Sequence, residues 1–368
     1  FGDMDNDGKA DLVLTGDNGA LLYTNGRGSP WSAPTNLPGA TTGAIFGDAD
    51  HDGDLDLLTL GPQARLLSND GTGRYVDISG EAGLAVAAER AIFTDFDNDR
   101  DVDIVLLSTT HVQVYTNNRD GTFSQIAGAL GLDRAEGTDL VVEDFDQDSY
   151  MDLALLSAGN RLNTYRNREG RTFAIDSEAP DLNGGRDLQT ADLDNDGDMD
   201  IVVAGDRLQI VAYGEAQWHL RDELAGNGAV ATADFDNDGH VDIWTGGTVL
   251  HNQSKNGNWI KIATTGLNSN HAGLGAKVEV KTSNRLQKRE VRSDEQAGEL
   301  IFGLAQSDSV EFIRILWPGG VRQTELATSA GQRLELTELD HKGTSCPILY
   351  AWDGREFRFV TDILGGAI

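Results

Sequence analysis

The sequence predicts an all-β chain: a calcium-binding β-propeller followed by a small β domain. Three observations predict it. One acidic nine-residue loop recurs six times, the copies follow one another at the period of a propeller blade, and short apolar strands bounded by turn residues fill the space between them.

The loops start at residues 3, 48, 95, 144, 192 and 234, and each has Asp at loop positions 1, 3, 5 and 9. These are Asp3, Asp5, Asp7 and Asp11; Asp48, Asp50, Asp52 and Asp56; Asp95, Asp97, Asp99 and Asp103; Asp144, Asp146, Asp148 and Asp152; Asp192, Asp194, Asp196 and Asp200; and Asp234, Asp236, Asp238 and Asp242. Four carboxylates within nine residues repel one another. A fold keeps six such clusters only if a cation neutralises them, and hard oxygen ligands in a short loop suit calcium. Position 7 adds a backbone carbonyl, from Lys9, Asp54, Asp101, Tyr150, Asp198 or His240. Up to six Ca2+ ions are therefore expected. Gly at position 6 permits the positive φ of a sharp turn. Arg100 and Ser149 stand at that position in loops 95–103 and 144–152, so these two sites are expected to be the weakest. An EF-hand is excluded, because it needs Glu at position 12 and helices on both sides. Here position 12 is Leu14, Thr59, Leu106, Leu155, Val203 or Thr245, inside apolar runs that read as strands.

The spacings between loops are 45, 47, 49, 48 and 42 residues, within the range of about 40–50 residues for a four-stranded blade. A short strand precedes each loop after the first, as at residues 43–46 and 91–94, and an apolar strand follows it. Asn25-Gly26, Asn69-Asp-Gly71, Asn117 to Gly121 and Asn167 to Gly170 then mark hairpin turns. Trp31, Tyr75, Phe123 and Phe173 open the fourth strand. Loop position 2 (Met4, Ala49, Phe96, Phe145, Leu193, Phe235) and position 8 (Ala10, Leu55, Val102, Met151, Met199, Val241) are mostly apolar and are expected to anchor the loops in the core. Six blade repeats are visible. The chain starts at Phe1-Gly2 and stops inside an apolar stretch, so it reads as part of something longer, with a missing strand or a seventh blade closing the ring.

Residues 1–254 form the predicted propeller, 255–341 the small β domain, and 342–368 a hairpin that begins a further unit. Within 255–341, alternation of apolar and polar residues predicts strands near 258–262, 277–281, 285–291, 310–317 and 333–337. The net charge of −31 falls entirely within the repeats. That excludes nucleic acid and anionic membranes as favoured partners, and no apolar run is long enough for a membrane span. The single cysteine, Cys346, allows no internal disulfide. Millimolar calcium nonetheless favours an extracellular or periplasmic location, with metal in place of disulfides as the staple.

The loop Asp-x-Asp-x-Asp-Gly-x-x-Asp, preceded by Phe-Gly in two copies, resembles the FG-GAP/VCBS repeat, which builds calcium-binding propellers including the integrin α head. Residues 258–262, Ser269 to Val278, Arg289 to Ser293, Phe302 to Leu304 and Ile315 to Gly320 resemble the ASPIC/UnbV domain, with Asp294 to Gly298 shorter than that family's usual stretch. The combination is similar to cartilage acidic protein and its bacterial relatives, and it implies a fold more than a function.

No catalytic motif is present. The seven histidines (51, 111, 219, 240, 251, 271 and 341) are scattered, and neither a His-Glu-x-x-His nor a Gly-x-Ser-x-Gly occurs. His51 and His240 read as solvated loop residues, His271 as a turn residue and Cys346 as a buried structural thiol. Trp218, Trp244, Trp259, Trp317 and Trp352 read as packed core rather than sugar platforms. No blade stands out as singular. The expected function is a calcium-stabilised extracellular binding or scaffold module for a protein or glycan partner. The alternative is a secreted polysaccharide lyase or hydrolase that uses a propeller face or a missing domain.

Overall fold

The computed structural model describes residues 1–26, 31–37, 41–109, 111–157, 159, 161–176, 180, 182, 184–214, 217–226, 228–293 and 299–340, and the backbone of strands at 348–352 and 357–362. His341, Cys346, the turn at 353–356 and the 294–298 stretch lie outside the described residues. Phe1–Glu338 form one compact unit and Leu339–Ile368 a second. In the second unit Ile348–Trp352 pairs antiparallel with Phe357–Asp362, the expected hairpin.

The first unit is a β-propeller with a β domain. Blade two shows the pattern: Gly43–Gly47, the acidic loop, then Asp56–Leu60, Arg65–Asn69 and Tyr75–Asp77, hydrogen-bonded in that order. Blade three repeats it with Arg90–Thr94, Asp103–Leu107, Val112–Asn117 and Phe123–Gln125. Blade four uses Asp139–Glu143, Asp152–Leu156, Leu162–Arg168 and Thr172–Ile175. Blade five uses Gly185–Ala191, Asp200–Gly205, Leu208–Gly214 and Gln217–Leu224. Blade one has Leu12–Gly16, Gly19–Tyr23 and Thr35–Leu37, with Gly2 bridging Asp11 where the other blades place a full strand. Blade six has Val230–Ala233, Asp242–Thr245 and Thr248–Leu250.

From blade two to blade six the first strands of successive blades adjoin, so they are the innermost strands, and each acidic loop leaves the same end of its first strand. The core lies between blades. Leu58, Leu60 and Leu66 of blade two pack against Phe93, Ile104 and Leu106 of blade three, and Phe145, Leu156 and Met199 join blades four and five. Loop position 2 supplies buried anchors at Met4, Ala49, Phe96, Phe145 and Leu193. Phe235 departs from this. It is 46% exposed, because blade six has no following blade among the described residues to receive it. Ala10 is also exposed rather than anchored. Trp31 is a further correction, since it precedes the outer strand of blade one and is exposed.

The β domain stacks two sheets. One has the order Glu299–Ala305, Asn258–Thr265, Gln332–Thr337, the last pair parallel. The other has the order Leu286–Glu290, Lys277–Lys281, Ser309–Leu316, Arg322–Ser329. Trp317 is fully buried between them, its indole N–H donating to Gln323 Oε1 at 3.0 Å. Trp218 is buried edge-on against Phe145 in the propeller. Trp244 and Trp259 are half-buried, and the side chain of Trp352 is outside the described residues.

Candidate metal centre

Each loop is wound by its own carboxylates. In loop one the N–H of Asp7 donates to Asp3 Oδ1 at 3.0 Å, Gly8 N–H to Asp3 Oδ2 at 2.8 Å and Lys9 N–H to Asp7 Oδ1 at 3.1 Å. The equivalent bonds recur in loops three, four, five and six. The position-9 Asp clamps the loop shut. Asp11 Oδ2 accepts Met4 N–H at 2.9 Å and its Oδ1 accepts Asn25 N–H at 2.7 Å, and Asp56, Asp152 and Asp242 repeat both bonds. Position 6 is left-handed in every loop, at φ 85° for Arg100 and 75° for Ser149 against 86–93° for the four glycines. Position 4 is left-handed too, at φ 52–61°. Its residues, Asn in four loops with His51 and Gln147 in the others, carried that signal, since Asn tolerates this region best.

Carboxylate oxygens at positions 1, 3 and 9 lie within 4.8 Å of one another in loops one, two and four, as do those at positions 1, 3 and 5 in loop three. In loop six Asp236 and Asp242 are joined instead by His251, whose position in the sequence carried no hint of this. The donor set is hard oxygen, as calcium prefers. Buried Asp48 Oδ1 and Asp103 Oδ2 have no hydrogen-bond partner, and a bound cation would satisfy both. Burial is the first cause that pushes Asp48, Asp144 and Asp200 up to about 7, Asp56 and Asp152 to about 8 and Asp103 to about 9, with neighbouring carboxylates adding to it. A divalent cation would reverse that by favouring the charged form. The residues therefore fit calcium, which would be held by the Asp side chains and the position-7 carbonyls.

Amides stitch the loops into a belt. Asn6 Nδ2 donates to Gly53 O at 3.1 Å, Asn98 to Ser149 O at 3.0 Å, Gln147 to Gly197 O at 2.7 Å and Asn195 to Gly239 O at 3.1 Å, each reaching the next blade's loop. The Asn residues read as turn formers do more than turn. Asn69, Asn117 and Asn167 are buried, and each donates backward to the position-2 carbonyl of the preceding loop, Met4, Ala49 or Phe96.

The β domain sits on the loop face and supplies it with cations. Lys261 Nζ lies 2.7 Å from Asp234 Oδ2, Lys277 pairs with Asp95, and Arg285 Nη1 is 3.3 Å from Asp198 Oδ1. His271 is more than a turn residue: its N–H donates to Asn6 Oδ1 at 2.8 Å and its Nδ1 lies 3.3 Å from Asp3 Oδ2. Within the propeller, Arg221 pairs with Asp194 and Asp200, and Arg166 with Asp146. His240 is not simply solvated, because its Nδ1 meets Asn195 Nδ2 at 2.9 Å. His51 is half-buried, 3.3 Å from Asp101. Among the described residues, the carboxylates of loops 3–11 and 48–56 pair with no Lys or Arg. Position-6 glycine also makes room for the β domain: a Cβ on Gly239 would stand 1.8 Å from the Trp259 ring, and one on Gly53 3.1 Å from Asn268 O.

Six acidic-loop blades capped by a β domain define this as a repeat propeller with a loop-docked cap. The chain is built of FG-GAP-like repeats, matched over residues 3–59, 95–155 and 144–203, followed by an ASPIC and UnbV domain matched over 266–343. Several solved structures are similar in fold. One is a lectin from Agrocybe aegerita that recognises non-reducing terminal N-acetylglucosamine: 18% identical, covering 68% of this chain and 79% of that one, TM-score 0.48. Another is the BP39L lectin from Burkholderia pseudomallei: 10% identical, 89% and 98% covered, TM-score 0.48. A third is Saccharomyces cerevisiae Sqt1: 12% identical, 80% and 81% covered, TM-score 0.44. No curated protein matches the chain.

Proposed function

We propose that the loops bind calcium and that the protein is an extracellular, calcium-stabilised binding or scaffold module for a protein or glycan partner. One observation carries this reading. The same convergence of carboxylates recurs from blade to blade, and the inter-blade belt and the β domain both hang from those loops. A cation at each loop would hold one continuous surface in place, which is what a recognition module needs. Calcium at extracellular concentrations is available to sites of modest affinity. Loops 3–11 and 48–56, whose carboxylates pair with no Lys or Arg among the described residues, are the strongest sites on this reading. No helix among the described residues is long and apolar enough to cross a membrane.

The test is metal analysis of purified protein, with thermal melting before and after chelation, followed by a glycan and co-purification screen in calcium. Retained calcium, a melt lowered by EDTA and a calcium-dependent partner are expected. A melt unchanged after confirmed metal loss would sink the calcium reading. Turnover of a polysaccharide that survives mutation of loop Asp residues but dies with one residue elsewhere would favour the lyase or hydrolase alternative.

A further inference from the structure

We propose that a cavity beside loop 95–103 binds a single acidic sugar unit, a monosaccharide bearing a carboxylate or a sulfate. This rests on the binding-module reading and names the ligand class and the place. The cavity, about 250 Å3, gathers Arg100 from the propeller with Lys277, Lys288, Arg314 and Arg322 from the β domain. Five cations around one cavity are unusual in a chain of net charge −31. They also make blade three singular, which its sequence pattern alone did not reveal.

Two of the five are already neutralised: Lys277 by Asp95, and Arg314 by Glu279 Oε2 at 2.8 Å. Among the described residues Arg100, Arg322 and Lys288 have no carboxylate partner. The Lys288 side chain is buried, and its ammonium meets only neutral oxygens, Asn98 Oδ1 and Ser149 O. The nearest carboxylates, Asp95, Asp144 and Glu290, act on it without touching it, so its burial is only partly compensated, and an anion in the cavity would add to that compensation. Arg100 adds an independent argument. It holds a left-handed backbone at φ 85° where four loops use glycine. Strain of this kind persists where the side chain is needed. In loops two and six the β domain presses on position 6, whereas at loop three the cavity leaves room for an arginine.

The lining selects the ligand. Guanidinium groups match the geometry of carboxylate and sulfate oxygens. Glu279 Oε1, not taken by Arg314, offers an acceptor for a sugar hydroxyl, and Leu316 is the only apolar side chain in the lining. The volume falls below the roughly 300–1,000 Å3 usual for drug-sized ligands, so one sugar unit fits. The acidic surroundings disfavour a long polyanion.

Isothermal titration of the calcium-loaded chain tests this, using methyl glucuronide, glucose 6-sulfate, methyl glucoside and sodium sulfate as probes. The variants are Arg100→Gly, which restores the repeat's own glycine, and Arg322→Gln. Binding of at least one acidic sugar is expected, with affinity falling about tenfold or more in each variant, while R100G melts at or above wild type. The two acidic probes separate a carboxylate from a sulfate ligand. No binding of either acidic sugar would overturn the proposal. So would affinities unchanged in both variants, neutral glucoside binding as tightly, or free sulfate binding as tightly as the sulfated sugar. Glycan binding that survives both variants would leave the module reading standing and overturn this pocket alone.

Discussion

Asn167→Ala should be among the most damaging single changes in the propeller. The side chain is fully buried, and its Nδ2 donates to Phe96 O at 2.7 Å and to Met151 O at 3.0 Å, while Oδ1 accepts Gly170 N–H at 2.8 Å. Alanine keeps the strand but strands two carbonyls. The Gly170 N–H is only part-buried and can turn to water. Two unsatisfied buried groups at about 1–3 kcal/mol each predict a loss of about 2–6 kcal/mol. Asn25→Ala is the matched control. Asn25 stands at the same place in blade one, half-buried, and its amide makes one long bond, to Ala10 O at 3.4 Å. It should cost no more than about 1 kcal/mol. Urea unfolding of the calcium-loaded proteins measures both, read at the midpoint with the slope checked for constancy. If Asn167→Ala costs no more than Asn25→Ala, the inter-blade clamp is not a source of stability and the reasoning fails.

Three further outcomes are expected. Gly239→Ala should destabilise well beyond Gly247→Ala, since both have left-handed φ (88° and 83°) but only Gly239 faces the Trp259 ring. The strain is shared at about 1–2 kcal/mol, overpacking adds about 1–3 kcal/mol at Gly239 alone, and equal losses in urea would refute the docking argument. Stripped of calcium, the protein should melt lower at pH 8 than at pH 5.5. Burial raises Asp48, Asp56, Asp103 and Asp152 from 3.8 to about 7, 8, 9 and 8, so the folded chain holds the extra protons and stability falls as pH climbs from about 4 through 9. Calcium should flatten or reverse that slope, and a higher melt at pH 8 without metal would contradict it. Lys277→Met should tighten calcium binding at loop three, because a tethered cation no longer shares Asp95, while Lys277→Arg should leave titrations as they are.

Period and loop chemistry were legible because they are local. Asp spacing, position-6 glycine and the apolar strand behind each loop all follow from contacts within a dozen residues; the strands at 43–47 and 90–94 fall just before their loops as expected, and the strand at 277–281 falls where alternation places it. What escaped was set by partners far along the chain. The clamp role of Asn167 depends on Phe96, 71 residues away, and an Asn before a turn reads the same whether or not a neighbouring blade presents a carbonyl. Lys261 and Lys277 occupy ordinary alternating positions in strands, and nothing nearby in sequence marks them as facing acidic loops. Arg100 reads in the sequence as a substitution that weakens its metal loop, and nothing nearby in sequence shows the cavity that it lines. Strands Glu299–Ala305 and Arg322–Ser329 were missed as strands. The first reads as a motif fragment, and the second is an edge strand whose exposed face breaks the apolar signal.

Repeat arrays are linear in their energetics: each unit leans on its neighbours, and the ends are free to fray. Here the β domain touches every loop, by hydrogen bond or ion pair at blades one, three, four, five and six and by close approach at blade two. Spokes that share one hub cannot loosen one at a time without breaking contacts that all the others use. The arrangement ties a string of blades to one common support, so that failure is a single event rather than a progression from one end.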